Sequence, residues 1–296
     1  MQRSAWSQFM FGRGALARLA LVVVVGLLAG CEGEVTMDLG TELPSDPAIS
    51  QVVANVRGLE FTKSDGGTET LEFTDSEAID FIDLADDNGV LRLFTSEELG
   101  EGNYTGVRLL FDEDRADDAF VTRSNGTEFP LNLVQGESAS LSFNVDDNES
   151  SSESFTLLLD LRKSLRFDDG NNEYTLTPVM RAVNTEDMSR IEGNVSVTCP
   201  AGDDLAEGAI YLFSGRDIVP DDIDGAGVEP FATSPVFTPS GGSLFYALRY
   251  LPAGDYTLAV TCIGNDEEPN EDEDLEFRNV ENVELDESET ITLDLP

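Results

Sequence analysis

Three acidic loops carry the oxygen atoms that a calcium ion prefers as ligands. They contain Asp168, the group Asp221, Asp222 and Asp224, and a run that begins at Asp266. Calcium takes about six to eight oxygen ligands, and each loop can supply several of them. None of the loops has EF-hand spacing, and 59 acidic residues against 17 basic ones make acidic clusters common by chance. The loops therefore indicate either calcium binding or a solvated anionic surface, and no other cofactor is expected.

Apart from these acidic residues, the chain offers few candidates for catalytic residues. The 296-residue chain contains no histidine, which removes the usual general base and the commonest metal ligand. Lys163 and Ser164 are adjacent, but neighbouring residues of a strand point to opposite faces, so they meet only if the chain turns there. A catalytic pair of carboxylates cannot be chosen among so many acids. We therefore expect a protein that is not an enzyme.

A group of opposite charges lies near the middle of the chain. Asp160, Arg162 and Lys163 are close in sequence, and Arg181 follows in the next apolar stretch. Charges in apolar segments are buried only when they are paired. We therefore expect a structural ion pair between Asp160 and either Arg162 or Arg181.

Two tyrosines alternate with leucines on one side of a predicted strand. Tyr246 and Tyr250 share this side with Leu244 and Leu248. If the side faces solvent, the two rings form a stacking platform for a polysaccharide. If it faces the core, they are packing residues.

The N-terminus has the features of an export signal. Three arginines and no acidic residue precede an apolar run at 19–29. As a helix this run rises about 16 Å, well short of a hydrocarbon core of about 30 Å. The pattern predicts a signal peptide over residues 1–30 rather than a membrane-spanning helix.

The apolar run ends in Leu-Ala-Gly-Cys at 28–31, which resembles the bacterial lipobox. The resemblance implies that Cys31 is lipidated and becomes the new N-terminus. Acyl chains contribute about 0.8 kcal/mol per buried methylene, so the mature protein would be held at a membrane. Glu32, rather than Asp, follows the cysteine, which favours the outer membrane. The expected partners are the membrane and an envelope protein or polysaccharide.

The charge balance excludes one large class of partner. A formal net charge of -42 leaves no surface able to neutralise phosphates. Nucleic acid is therefore excluded as a ligand.

Apolar residues recur mostly with period two, in short runs bounded by Gly, Asn and Asp, which predicts an all-β protein. Hairpin turns are predicted at 64–67 and 124–127, where residues that tolerate positive φ occur. The polar stretch at 184–189 divides the chain into two predicted β-sandwiches, 31–189 and 190–296. The predicted strands are 35–39, 52–61, 68–73, 104–111, 120–123, 129–133, 141–145, 155–161 and 174–180, then 191–198, 209–213, 244–250, 256–262 and 290–295.

One short pattern occurs in both predicted sandwiches. Leu-Gly-Glu-Gly-Asn-Tyr-Thr ends at Thr105, and Leu-Pro-Ala-Gly-Asp-Tyr-Thr ends at Thr257. A tyrosine after a glycine turn, at the start of a strand, resembles the tyrosine corner of sandwich folds. Tyr104 and Tyr256 are therefore expected to stabilise the fold rather than to contact a ligand.

Two cysteines end matching strands of the second predicted sandwich. Cys199 follows Val-Ser-Val-Thr, and Cys262 follows Leu-Ala-Val-Thr. Exported proteins fold in an oxidising compartment, which favours a disulfide between them. Two buried free thiols are the alternative.

Three segments together resemble a bacterial lipoprotein family with a domain of unknown function, an immunoglobulin-like sandwich. They are Thr-Leu-Leu-Leu-Asp-Leu-Arg-Lys-Ser at 156–164, Tyr-Thr-Leu-Thr-Pro-Val-Met-Arg at 174–181 and Tyr-Thr-Gly-Val-Arg-Leu at 104–109. The second unit resembles carboxypeptidase regulatory-like or prealbumin-like sandwiches, which belong with the carbohydrate-binding-like folds. The resemblances imply architecture and a place in the cell envelope, but no reaction.

Overall fold

A computed structural model describes residues 33–85, 89–146, 152–239, 242–269 and 271–296. The predicted signal peptide and Cys31 lie outside these residues. No helix in the described ranges is long and apolar enough to cross a membrane. The strands are β1 (Gly33–Glu42), β2 (Ile49–Lys63), β3 (Thr68–Asp80), β4 (Leu91–Leu99), β5 (Gly102–Phe111), β6 (Phe120–Arg123), β7 (Glu128–Leu133), β8 (Ala139–Val145), β9 (Ser152–Asp160), β10 (Leu165–Asp168), β11 (Glu173–Leu176), β12 (Met180–Asn184), β13 (Ser189–Asn194), β14 (Ala209–Ser214), β15 (Ala232–Pro235), β16 (Phe245–Leu251), β17 (Gly254–Thr261), β18 (Phe277–Leu285) and β19 (Thr290–Thr292).

The first half of the chain forms two sheets that enclose one core. One sheet has the order β12-β9-β1-β4, and the other has the order β10-β11-β7-β6-β2-β5-β8, with β3 paired to β2. Period-two patterning explains the arrangement, because alternate side chains of β1 (Val35, Met37 and Leu39) are fully buried between the sheets. β1 pairs in parallel with β9 and antiparallel with β4.

The second half forms a smaller pair of sheets, with orders β16-β13-β19 and β15-β14-β17-β18. Both faces of β14 are buried. Ile210 and Leu212 contribute to the core between the sheets, whereas Tyr211 and Phe213 belong to a separate apolar cluster on the outer face. Residues of the connections that follow β14 and β17, among them Ile223 and Leu275, cover this outer cluster. Packing against this outer cluster holds the two connections against the sheet.

Local features match several sequence predictions. The two predicted hairpin turns are present, with Gly66 and Gly126 at φ +87° and +82°, a conformation that glycine adopts without strain. The predicted strand 155–161 is too long by one residue: β9 ends at Asp160, and Leu161–Ser164 forms a single α-helical turn, α1. The described residues form one compact unit, with the two sandwiches in contact.

Candidate functional site

The α1 turn exists because its own polar side chains cap it. Asp160 accepts a hydrogen bond from the backbone N–H of Lys163 at 3.1 Å, which is the N-cap interaction. The Ser164 hydroxyl donates to the carbonyl of Asp160 and accepts from the N–H of Val179 at 2.9 Å. These bonds hold the turn that carries the chain from β9, in one sheet of the first sandwich, to β10, in the other.

The turn places two cations of the first sandwich against the second. Arg162 is 0% exposed and donates from Nη1 to the carbonyl of Gly264 at 2.5 Å. Its guanidinium carbon lies 5.9 Å from the centroid of the Tyr211 ring. Lys163 donates from Nζ to the carbonyl of Pro230. If residues 161–164 formed a strand, only one of the Arg162 and Lys163 side chains would face the second sandwich.

A third cation, Arg181 on β12, completes the junction. Its Nη2 lies 2.6 Å from Glu42 Oε1 and 3.1 Å from the carbonyl of Arg249, and its guanidinium covers the Phe231 ring at 5.3 Å. Burial raises the pKa of Glu42, while the neighbouring Arg181 opposes the shift. We call Arg162, Lys163, Arg181 and their partners the sandwich junction.

The expected ion pair between Asp160 and an arginine is replaced by a different arrangement. Arg181 takes Glu42 as its partner, and Asp160 Oδ2 lies 3.8 Å from Lys163 Nζ. The reason is the helical turn, which points Arg162 away from Asp160 and toward Gly264. Lys163 and Ser164 are not a catalytic pair either, because the lysine contacts Pro230 and the hydroxyl bonds backbone groups.

Two of the three acidic loops meet on the outer face of the second sandwich. Carboxylate oxygens of Asp222, Glu267 and Glu273 lie within 4.8 Å of one another, and those of Asp222, Asp224 and Asp272 form a second group with the same spacing. We call these five residues the acidic cluster. Asp222 and Glu267 are only 3% and 2% exposed. The predicted loop that runs from Asp266 to Asp274 contains Glu267, Asp272 and Glu273, but nothing in the sequence distinguishes these three within it.

The carboxylates of the acidic cluster differ in the number of hydrogen bonds that they accept. Glu267 accepts from the Tyr211 hydroxyl at 2.5 Å and from the N–H of Ile223 at 3.1 Å, and Asp222 accepts from the N–H of Glu273 at 2.6 Å. Oε2 of Glu273 is buried and has no hydrogen-bond partner among the described residues. Burial, together with the charges of Glu267 and Asp222, raises the pKa of Glu273 to about 7. The cluster can therefore take up a proton or a cation.

The other acidic residues of the prediction lie elsewhere. Asp168 closes a turn: its carboxylate accepts from the N–H groups of Gly170 and Asn171 and from the Asn171 amide, and these bonds lower its pKa. Asp221 is exposed. The side chain of Asp266 lies outside the described part of the structure.

A bulge separates the two tyrosines of the predicted stacking platform. Tyr246 is 0% exposed and donates to the carbonyl of Leu293 at 2.9 Å, so the platform that includes it is wrong. Its face of β16 packs into the core. In the pairing of β16 with β13, Leu248 and Leu251 oppose Ile191 and Ser189, so β16 has one extra residue here. Tyr250, at φ +56°, is turned toward a cleft.

The repeated pattern gives the same contact in both sandwiches. The Tyr104 hydroxyl lies 2.7 Å from the carbonyl of Gly100, and the Tyr256 hydroxyl lies 2.7 Å from the carbonyl of Pro252, in each case four residues earlier. Both rings are buried. The hydroxyls tie each glycine turn to the strand that follows it.

The predicted disulfide is present. Cys199 and Cys262 are bonded, with their Cα atoms 5.8 Å apart. The bond fixes the end of β17, and Gly264, the acceptor of the Arg162 hydrogen bond, lies two residues beyond it.

The fold and the sandwich junction define an all-β protein of two sandwiches in contact through buried cations. Residues 32–178 match the family described as "Domain of unknown function (DUF4382)". The match covers the first sandwich through β11 and includes α1, but it stops before β12, which carries Arg181, and before the second sandwich. No curated protein shows significant similarity to the chain.

The solved structures that match the chain are distant from it. The Bacillus anthracis TIE protein is 11% identical, with 88% of this chain and 33% of that chain covered and a TM-score of 0.22. A putative cell adhesion protein from Bacteroides fragilis is 12% identical, with 88% and 91% covered and a TM-score of 0.21. GBS52, the minor pilin of Streptococcus agalactiae, is 11% identical, with 88% and 94% covered and a TM-score of 0.21. This chain thus spans one third of the first of these proteins.

Proposed function

We propose that the protein is a lipid-anchored, non-enzymatic module of the cell envelope that binds or supports another envelope component. The sandwich junction carries the proposal. Arg162, Lys163 and Arg181 connect the two sandwiches through buried polar contacts, which stabilise one arrangement of the two. A site supported by packed elements and hydrogen bonds suits positioning and binding.

The anchor belongs to the same proposal. β1 begins at Gly33, two residues after the lipobox-like cysteine, and two residues span at most about 7 Å. An acylated Cys31 would therefore hold the first sandwich close to the bilayer. Glu32 favours the outer membrane as its location.

Fractionation of cells that express the full chain tests the anchor. Cys31→Ser is expected to release the protein from the membrane fraction or to leave an unprocessed precursor. Ser45→Ala, in the loop after β1, is the matched control and is expected to stay with the membrane. Normal processing and retention of the Cys31→Ser protein would refute the lipid anchor.

A carbohydrate-binding role is the second candidate. The observation that favours it is Tyr250, which the bulge of β16 turns out of the core and toward the cleft between the sandwiches. Retention of the chain on glycan columns favours this role, whereas capture of one envelope protein favours a structural one.

A further inference from the structure

A cleft of 260 Å³ lies between the two sandwiches. One wall comes from the end of β1 and the chain near Ala85, and the other comes from β15 and β16 of the second sandwich. Pockets for drug-sized ligands are about 300–1,000 Å³, so this cleft suits a smaller molecule. Its walls include Thr41, Glu42, Thr233, Phe237, Arg249 and Tyr250.

The bulge of β16 places two consecutive side chains on the cleft. In a regular strand Arg249 and Tyr250 would point to opposite faces, yet both line the cleft wall. Tyr250 adopts φ +56°, a left-handed conformation that is a genuine outlier for a bulky residue. Bulges commonly re-aim side chains next to binding sites. The chain thus accepts an unfavourable backbone conformation to bring a cation and an aromatic ring to one surface.

The walls combine aromatic faces with polar atoms. Phe237, which is 37% exposed, lines the cleft together with Tyr250. Oγ1 of Thr41, Oγ1 of Thr233 and Oε2 of Glu42 are buried and have no hydrogen-bond partner within the described ranges. Buried polar atoms are normally paired, so these three, which lie just behind the cleft surface, leave hydrogen-bonding capacity that a polar ligand reaching them would satisfy.

We propose that this cleft binds a neutral pyranose sugar, an inference that rests on the binding role proposed above. A pyranose has an apolar face of C–H groups, which packs on Tyr250 or Phe237, and a rim of hydroxyls, which can exchange hydrogen bonds with a carboxylate, a guanidinium and threonines. Glu42 is paired with Arg181, the Arg249 guanidinium donates to the carbonyl of Ala85, and the chain as a whole carries a net charge of -42. The local balance and the repulsive surroundings favour a ligand without charge.

Saturation-transfer NMR on the detergent-solubilised full chain tests the assignment, with methyl glucoside, methyl galactoside and methyl mannoside as probes. At least one is expected to bind saturably. Tyr250→Gly is expected to weaken binding about tenfold or more, because glycine adopts φ +56° freely and only the ring is lost. Tyr250→Phe keeps the ring and is expected to bind within about twofold of wild type. Val219→Ala, an exposed position of the second sandwich away from the cleft, is the surface control.

The outcomes separate this inference from the proposed envelope role. Absence of saturable binding of all three glycosides would overturn the sugar assignment, and so would equal binding by wild type and Tyr250→Gly. Tighter binding of galacturonate than of methyl galactoside would overturn the choice of a neutral ligand. Membrane retention of the same preparations is measured in parallel, so a failed sugar assignment with normal retention leaves the anchored module intact.

Discussion

Arg162 makes a fully buried polar contact between the two sandwiches. It is fully buried, makes a charge-assisted hydrogen bond to the Gly264 carbonyl, and lies beside the Tyr211 ring, whose hydroxyl contacts Glu267. Removing its charge relieves a desolvation cost, but it also leaves a carbonyl unpaired and Glu267 without its nearby cation. A hydrogen bond to a charged group contributes about 1.5–3 kcal/mol. Its loss outweighs the relieved desolvation cost, so replacing Arg162 lowers the free energy of unfolding.

We therefore predict that Arg162→Met lowers the free energy of unfolding by about 1.5–3 kcal/mol. Arg166→Met is the matched control, since Arg166 lies on the same segment but pairs with Glu271 at the exposed surface, where a pair contributes about 0–1 kcal/mol. Urea unfolding of the two variants gives the comparison. Equal stability of Arg162→Met and Arg166→Met would show that the sandwich junction does not depend on this arginine.

Glu273 gives the protein a pH dependence of known sign. Its pKa is raised from about 4.5 to about 7 by burial and by Glu267 and Asp222, so the folded chain binds a proton that the unfolded chain has released. The contribution of Glu273 to the free energy of unfolding is fully present below about pH 4.5 and is lost as the pH rises through about 7.

The predicted result is a melting temperature whose fall between about pH 4.5 and 7 is smaller in Glu273→Gln than in wild type. Glu276→Gln, at an exposed position paired with Arg278, should leave the profile unchanged. If Glu273→Gln and wild type have parallel profiles, Glu273 does not hold the proton.

At the scale of elements, the sequence predicted the strands in which apolar and polar residues alternate regularly, and it missed strands in which they do not. β4 and β18 were not predicted, because their apolar residues do not alternate regularly: Leu93 and Phe94 of β4 are consecutive and both buried, and Val280 of β18 is exposed. The pairing of Cys199 with Cys262 was predictable, since both follow similar strand endings. The α1 turn was not, because Asp160 and Ser164 cap it with side-chain bonds that a strand pattern hides.

The acidic cluster shows why long-range sites escape sequence patterns. Its members come from the connections after β14 and β17, which are far apart in the chain. They meet because Tyr211 and Phe213 make the outer face of β14 apolar, and the connections cover that face. The sequence therefore predicted two separate loops where the fold builds one group of carboxylates. Calcium binding stays a prediction, now with a defined set of ligands.

We expect millimolar calcium, at fixed ionic strength, to raise the melting temperature more than magnesium does, because the flexible oxygen cage that carboxylates provide suits calcium better. Asp222→Asn should abolish the difference, since Asp222 belongs to both groups of three carboxylates. Asp168→Asn, in a separate loop, should retain it. If calcium still stabilises the Asp222→Asn protein, or if magnesium stabilises the wild type equally, the acidic cluster is not a selective calcium site.

At the scale of the whole molecule, self-repulsion must oppose compactness. The net charge is -42, and the lysines and arginines of the second sandwich are only four, so acidic excess extends over both halves of the fold. Removal of a signal peptide that contains three arginines and no acid would make the balance more negative still. Repulsion among like charges is stronger in the folded chain than in the expanded one.

We therefore predict that sodium chloride raises the melting temperature. The Debye length falls from about 8 Å at physiological ionic strength to about 3 Å at 1 M, so most repulsion between surface carboxylates is screened over this range. Screening depends on ionic strength rather than on the identity of the anion, so sodium bromide at equal concentration should give nearly the same rise, whereas a salting-out effect would favour chloride. A melting temperature that is indifferent to both salts would mean that the carboxylates are spaced widely enough, or paired well enough, for the charge to cost the fold little.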